Sequence, residues 1–492
     1  MQAERVGIRF AQMQGERPIR MDSPELGRFG DSRLAATGVA LATAMRQRPT
    51  MCLSLLGGSR EQTRRFAAFL DNEAVSRHEM LTFAGRLTGE RARGRHVLAP
   101  VDSSELNYAT HDGRKKGFGT VGSGRDLGVL LHPIIAVDAE TGGVLGVVGA
   151  EVINRGPERV EDHKKRPADE KESRRWLASA ELAGEVLAPA AMITVVEDRE
   201  GDIYDQFARC PPNVHLLVRA AQNRALVEGG KLFERCGAWS EVSRWTITVP
   251  PRRGASGSGA SGSGASGQDE RTAVVAVRFG EATLRRPGTA DKALAATVRL
   301  RVVDAREVDP PAGVKDPIHW CLLTTHAVGT AAEAIQVVGW YRRRWIIEQV
   351  FRTLKTDGVN VETSQITTPA SLLKLVTVAL IVAVQVVQMA LGRDGSTGQP
   401  LTDAIASPAE LPALHAINAS LEGRTDKLRN PFDPSTLAWY VWIVARLGGW
   451  AGYTSKGYRP PGPKTLARGL KRLNDMVSGW LIANHSGLTG PP

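Results

Sequence analysis

Cysteine is scarce in this chain, with four in 492 residues (Cys52, Cys210, Cys236, Cys321) and no C-x-x-C pair among them. Such scattered thiols disfavour a disulfide framework and a structural zinc site and suit a reducing cytosol. The opening MQAERVGIRF is charged within four residues and lacks an apolar signal core, so secretion is not expected. No P-loop occurs, and Gly122-Ser123-Gly124 lacks the strand–GxGxxG–helix setting of a dinucleotide fingerprint, so no nucleotide cofactor is implied. No solenoid-type repeat is found. Long apolar runs are missing too. The closest approach is Leu372–Leu391, whose uninterrupted part, Leu375–Val384, is about half of the roughly 20 residues a spanning helix needs. Lys374, Gln385 and Gln388 break the rest, so the segment reads as a buried core helix and no membrane partner is expected.

What is present is an ordinary globular composition, 42% apolar and 23% charged, with a basic surplus. Lys and Arg number 63 against 52 acids, a net +11, which fits a polyanionic partner. The length implies two to four domains. Residues from about 26 to 90 have helical spacing and carry Arg but no Lys, as in RLAATGVALATAMRQ and SREQTRRFAAFLDN. Such a module fits DNA contact and equally a solvated charged face. From about 95 to 220 strands alternate with helices: HVLAPVD, a hairpin turning at Glu140–Gly143, a charged helix, AMITVVED and NVHLLVRA, which together indicate a mixed α/β sheet. Residues 221–325 are β-rich and contain Gly254–Gly267, pure Gly, Ala and Ser, expected to be a flexible loop. Beyond them the pattern is helical, beginning with one long helix from about Ala331 to Thr356.

The text YRRRWIIEQVFRTLK carries the most chemistry. On one helix, Tyr341, Arg344, Glu348 and Lys355 fall at i, i+3, i+7 and i+14, a single polar stripe within roughly 60° of arc. One carboxylate flanked by two cations and a phenol suits a metal-binding oxygen among phosphate contacts. Further acids are needed for a divalent pair, and two stand where strands end: Asp102 after HVLAPV and Asp198 after AMITVVE. Three such carboxylates can hold two ions about 3.5–4 Å apart for in-line phosphoryl displacement. Spacing alone leaves Glu105, Glu197, Glu200 and Asp202 as competitors, and each Asp also fits a capping role. His132, in an apolar strand, reads as a satisfied core histidine. The basic runs His163–Arg166 and Arg342–Arg344 fit phosphate contacts.

The spacing Y-x2-R-x3-E-x6-K resembles the signature of the cut-and-paste DDE transposases of the insertion-sequence-four family. VDSSELNY, DEKESRRWL, VVEDREGDIY, LLVRA, HWCLLTT and VWIVARLGGW are similar to that family's motifs in the same order, so the resemblance covers roughly residues 26–484. It implies an α/β fold with an RNase H-like catalytic core at 91–370 and a β-rich insertion at about 221–325. A helical N-terminal DNA-binding domain (1–90) and a helical C-terminal dimerisation region (371–492) would flank that core. Ninety-six residues separate Asp102 from Asp198 and 150 separate Asp198 from Glu348, room enough for the insertion. By resemblance, Asp102, Asp198 and Glu348 form the catalytic, metal-binding triad for two Mg²⁺, with Mn²⁺ able to substitute. Tyr341, Arg344 and Lys355 would grip the transposon-end backbone, Trp320 would stack on a base flipped out near the cleavage site, and Arg219 would lie nearby.

The implied partners are double-stranded DNA, as transposon-end repeats and target, and a second copy of the chain in the DNA-bound synaptic complex. Helices near Trp439–Trp450 would supply the dimer contacts. The implied location is the bacterial cytoplasm, on the nucleoid when bound. Residues 1–25 depart from the family's opening helix, with Met21 a candidate alternative start, and the Gly/Ser tract replaces a basic segment. Those departures leave a catalytically inactive DNA-binding derivative, or a transposition inhibitor, as the alternative. A junction resolvase is a second rival, but such enzymes lack the Y-x2-R-x3-E-x6-K helix and a stacking Trp placed 21 residues before its Tyr.

Overall fold

The computed structural model describes residues 26–111, 115–122, 126–155, 172–249, 271–314, 317–356, 358–401, 410–452 and 460–485. Residues 1–25 with Met21, the Gly254–Gly267 tract, His163–Arg166, Ser123 and Gly124 lie outside the described residues. The chain divides into two compact units, one built from segments 1–194 and 344–492 and the other from 195–343.

The first unit opens with helices α1 (Ser32–Gln47), α2 (Leu53–Gly57), α3 (Arg60–Asp71) and α4 (Arg77–Arg91). Short polar side chains start three of them: Asp31 accepts from the Arg33 N–H, Ser59 from Gln62 and Ser76 from Glu79. Leu41, Met45, Phe66 and Phe69 are buried between α1 and α3, while Arg60, Arg64 and Arg65 line the exposed side of α3. Strands β1 (His96–Val101), β2 (Ser104–Asn107), β3 (Gly119–Val121), β4 (Asp126–Asp138) and β5 (Val144–Ile153) follow. β4 is the spine, with β1 and then β2 antiparallel along one edge and β5 along the other. The β4–β5 hairpin turns where expected, because Asp138 Oδ1 accepts from the Glu140 and Thr141 N–H groups and Gly142 takes φ +76°. α4 seats on β5 through small residues. A Cβ at Gly85 would lie 2.8 Å from the Val148 carbonyl oxygen, so nothing larger than glycine fits there. Helix α5 (Arg174–Val186) covers β1, β4 and β5, and β6 (Met192–Glu197) then starts beside β1, where Ala191 N–H donates to the Arg95 carbonyl.

The second unit carries the end of β6, helix α6 (Tyr204–Ala208), β7 (His215–Arg219), α7 (Leu232–Gly237), β8 (Ser243–Val249), β9 (Arg271–Arg285), β10 (Thr297–Glu307), β11 (His319–Thr324) and α8 (Ala331–Arg342). β8, β9, β10, β11 and β7 pair antiparallel in that order, and alternating Val, Ala and Leu on β9 and β10 face α7 and α8. None of the four cysteines is bridged, and Cys236 and Cys321 are buried with sulfurs 3.8 Å apart.

The chain then returns to the first unit as α9 (Trp345–Lys355), α10 (Pro369–Gly392), α11 (Leu411–Leu421), α12 (Leu437–Leu447) and α13 (Pro463–His485). The long helix expected over Ala331–Thr356 is two helices. Arg343 and Arg344 keep helical dihedrals but sit in a turn between α8 and α9, where the Arg343 N–H reaches back to Trp340 and Ile347 N–H to Arg344. Tyr341 therefore ends one helix while Glu348 and Lys355 lie on the next. α10 contains the apolar run. Eighty-three per cent of its most apolar 18-residue window is buried, against α1, α3, α4, α9, α12, α13 and β5, as a core helix requires.

Candidate active site

Asp102 sits at a break in a ladder. Val101 pairs with Ile134 and Ser104 with Leu131, so Asp102 and Ser103 stand opposite Pro133 and His132. Pro133 has no N–H to offer a neighbouring strand, and at this position the chain passes from β1 to β2. The Asp102 carboxylate is thereby turned out of a strand whose apolar residues, Val97, Leu98, Ala99 and Val101, are fully buried. Its Oδ1 accepts from the Ser103 N–H at 2.8 Å.

Its Oδ2 accepts from Arg344 Nη1 at 2.7 Å, and the other fork of that guanidinium, Nη2, donates to Glu348 Oε1 at 2.9 Å. Arg344 holds the position before α9 and Glu348 lies one turn on, so the two share a helix face. Glu348 in the first turn also suits the positive end of the helix dipole. The Arg344 side chain is 10% exposed, so its charge requires partners at this depth, and the two acids supply them. Two carboxylates on opposite forks of one guanidinium are within about 8 Å, where like unit charges repel by roughly 2 kcal/mol at an effective dielectric near 20. Arg344 offsets that repulsion.

In the second unit, Asp198 follows β6 and precedes a 3-10 turn, Arg199–Gly201, without a side-chain cap to it. Its Oδ1 instead accepts from Tyr341 Oη at 3.2 Å and lies 3.8 Å from Arg219 Nη1. Trp320, only half-buried on β11, meets the Tyr341 ring edge-on with centroids 5.5 Å apart, and Arg219 Nη2 donates to the His319 carbonyl. The second unit thus gathers Asp198, Arg219, Trp320 and Tyr341, and the first gathers Asp102, Arg344 and Glu348. Lys355 is engaged elsewhere in the first unit, 3.8 Å from Glu362 Oε1, which in turn accepts from the Asn107 N–H.

The competing acids have other work. Asp202 is buried and binds Arg224 at 2.6 Å and the N–H groups of Ala221 and Gln222. Glu197 is fully buried and accepts from Gln206 Nε2. Glu105 accepts from the Gly122 N–H, and Glu200 is exposed. Asp202→Ala strands a buried guanidinium, so it should lower stability by about 3–5 kcal/mol in a denaturant melt. Asp102→Asn should leave the melt within about 1 kcal/mol, because the amide oxygen can still accept from Arg344.

Three contributors were not legible as site residues: Ser103, His132 and Arg175. Ser103 Oγ lies 2.8 Å from His132 Nδ1 and 3.2 Å from Arg175 Nε, and His132 Nε2 lies 3.1 Å from Ser179 Oγ. Burial, with the Arg175 charge alongside, pushes the His132 imidazole down to about 3, so the ring is neutral, a satisfied core histidine as expected. Only the strand register puts it behind Asp102.

Among the described residues no three His, Cys, Asp or Glu side chains gather into one metal-binding group. Asp102 and Glu348 are nonetheless hard oxygen donors of the kind Mg²⁺ and Mn²⁺ prefer, and Arg344 already marks the space between them as one that a cation neutralises. Two acids are thus held around one cation, one at a strand end and one at a helix start. Residues 93–384, more than half of the chain, match the family model described as the transposase DDE domain, and both Asp102 and Glu348 fall within the match; the chain belongs to that transposase family.

Proposed function

We propose that the protein is a cut-and-paste DNA transposase of the insertion-sequence-four type, similar to the transposon-five transposase, with Asp102, Asp198 and Glu348 as its metal-binding triad. The observation that carries this reading is the Asp102–Arg344–Glu348 bridge, two acids from distant sequence positions converging on one cation. Divalent ions held by the triad would supply a hydroxide-like nucleophile and stabilisation of the leaving oxygen. The chain's own groups orient the DNA. Arg344, Arg219 and Lys355 donate to backbone phosphates, the Tyr341 hydroxyl adds a further contact, and Trp320 offers an aromatic face to an extruded base.

In this reaction water attacks the phosphodiester at the transposon end. The freed 3′-hydroxyl attacks the opposite strand to close a hairpin, which is reopened, and the 3′ ends join target DNA. No covalent protein intermediate forms. Two copies of the chain bridge two ends, with contacts near Trp439–Trp450, in the cytoplasm on the nucleoid.

The test is incubation with Mg²⁺ and DNA carrying the terminal inverted repeats that flank the gene. Hairpin-ended or excised product supports the reading. Binding without cutting would favour the inactive derivative or inhibitor, and cutting of branched DNA regardless of sequence would favour a resolvase.

A further inference from the structure

We propose that Ser103 and His132 are positioning residues for Asp102: the buried imidazole anchors the Ser103 hydroxyl, and the anchored Ser103 backbone aims the Asp102 carboxylate. This rests on the reading of Asp102 as a metal ligand and adds to it the groups that hold that ligand in place. Arg175 Nε can only donate, so the Ser103 hydroxyl oxygen is its acceptor at 3.2 Å. With its oxygen accepting from Arg175, the Ser103 hydroxyl has its proton to give to His132 Nδ1 at 2.8 Å, and in that tautomer His132 Nε2–H donates to Ser179 Oγ at 3.1 Å. His132 is 1% exposed, and the Trp176 ring meets it edge-on at 4.8 Å, fixing its plane. The chain of contacts ends at the Ser103 N–H, which donates to Asp102 Oδ1 and leaves Oδ2 for Arg344. Asp102 sits where β1 has left the ladder and β2 has not yet rejoined it. Residues that orient a metal ligand from behind typically contribute 10–100-fold to metal affinity or activity.

The test uses Mn²⁺ as the probe, titrated into the full-length protein and followed by the electron paramagnetic resonance signal of the free ion. Thermal melts and end-DNA affinity are measured alongside. Ser103→Ala and His132→Leu are expected to weaken Mn²⁺ binding roughly tenfold with end-DNA affinity unchanged. His132→Asn, whose Oδ1 takes the place of Nδ1, should stay within about threefold of the parent. Ser103→Ala is the safer variant, since it removes one partly exposed hydroxyl and leaves the core intact. Wild-type Mn²⁺ affinity in Ser103→Ala would overturn the proposal, as would a loss in His132→Asn as large as that in His132→Leu. A parent protein that binds no Mn²⁺ at all would overturn the metal-ligand reading along with it, an outcome distinct from a parent that binds and variants that do not differ.

Discussion

Replacing Glu348 by alanine is expected to reduce strand cleavage at the transposon end by about 10³-fold or more, equivalent to about 4 kcal/mol of transition-state stabilisation. DNA binding should change little. The carboxylate accepts from Arg344 Nη2, while Nη1 donates to Asp102, so its removal leaves the guanidinium held on Asp102. The grip on DNA is therefore retained, while a hard oxygen ligand is lost from the cleavage machinery. Asp198→Asn should behave alike, since the amide can still accept from Tyr341 but binds a divalent ion poorly. Gel cleavage assays paired with fluorescence anisotropy separate the two effects. Residual cleavage of even a tenth of the parent rate by either variant would sink the triad assignment.

Arg344→Ala should produce the second large change, and in a direction that distinguishes it from the acids. Without the guanidinium, Asp102 and Glu348 lose the charge that bridges them, so the variant in EDTA should lose about 2–3 kcal/mol and melt several degrees below the parent. Mg²⁺ should restore much of that loss, since a divalent ion offsets the same two charges. The parent, already neutralised by Arg344, should respond much less. Cleavage should still be poor with Mg²⁺ present, because the phosphate contact is gone. A variant whose melting temperature responds to Mg²⁺ no more than the parent's would show that Arg344 does not stand in for a cation.

Where Asp102 and Asp198 fall in the fold was legible because element ends leave local signals. Asp102 and Asp198 each follow an apolar strand, and the strands HVLAPV, AMITVVE and HWCLLT run where alternation and β-branched residues place them. The hairpin at Asp138–Val144 was legible for the same reason. What escaped depends on register or on packing. The break between α8 and α9 has no glycine or proline to announce it, since Arg343 and Arg344 keep helical dihedrals. The short strands β2 and β3 derive their existence from β4, which no local pattern conveys. His132 faces Ser103 only because Val101 pairs with Ile134, a choice made by the ladder. Arg344 looked from spacing like a phosphate ligand, whereas its guanidinium joins two acids. A stripe on a helix cannot state which partner a cation has in a given state.

Whether Asp102, Asp198 and Glu348 hold the metal together, as proposed, can be read from affinity cleavage with Fe²⁺ in place of Mg²⁺. With ascorbate and peroxide, a bound Fe²⁺ releases hydroxyl radicals that cut the polypeptide within a few ångströms of the ion. Cuts should cluster near residues 102, 198 and 348, be suppressed by excess Mg²⁺ and be lost in Glu348→Ala. Cuts near 102 and 348 with none near 198, or a pattern unchanged by Glu348→Ala, would contradict it.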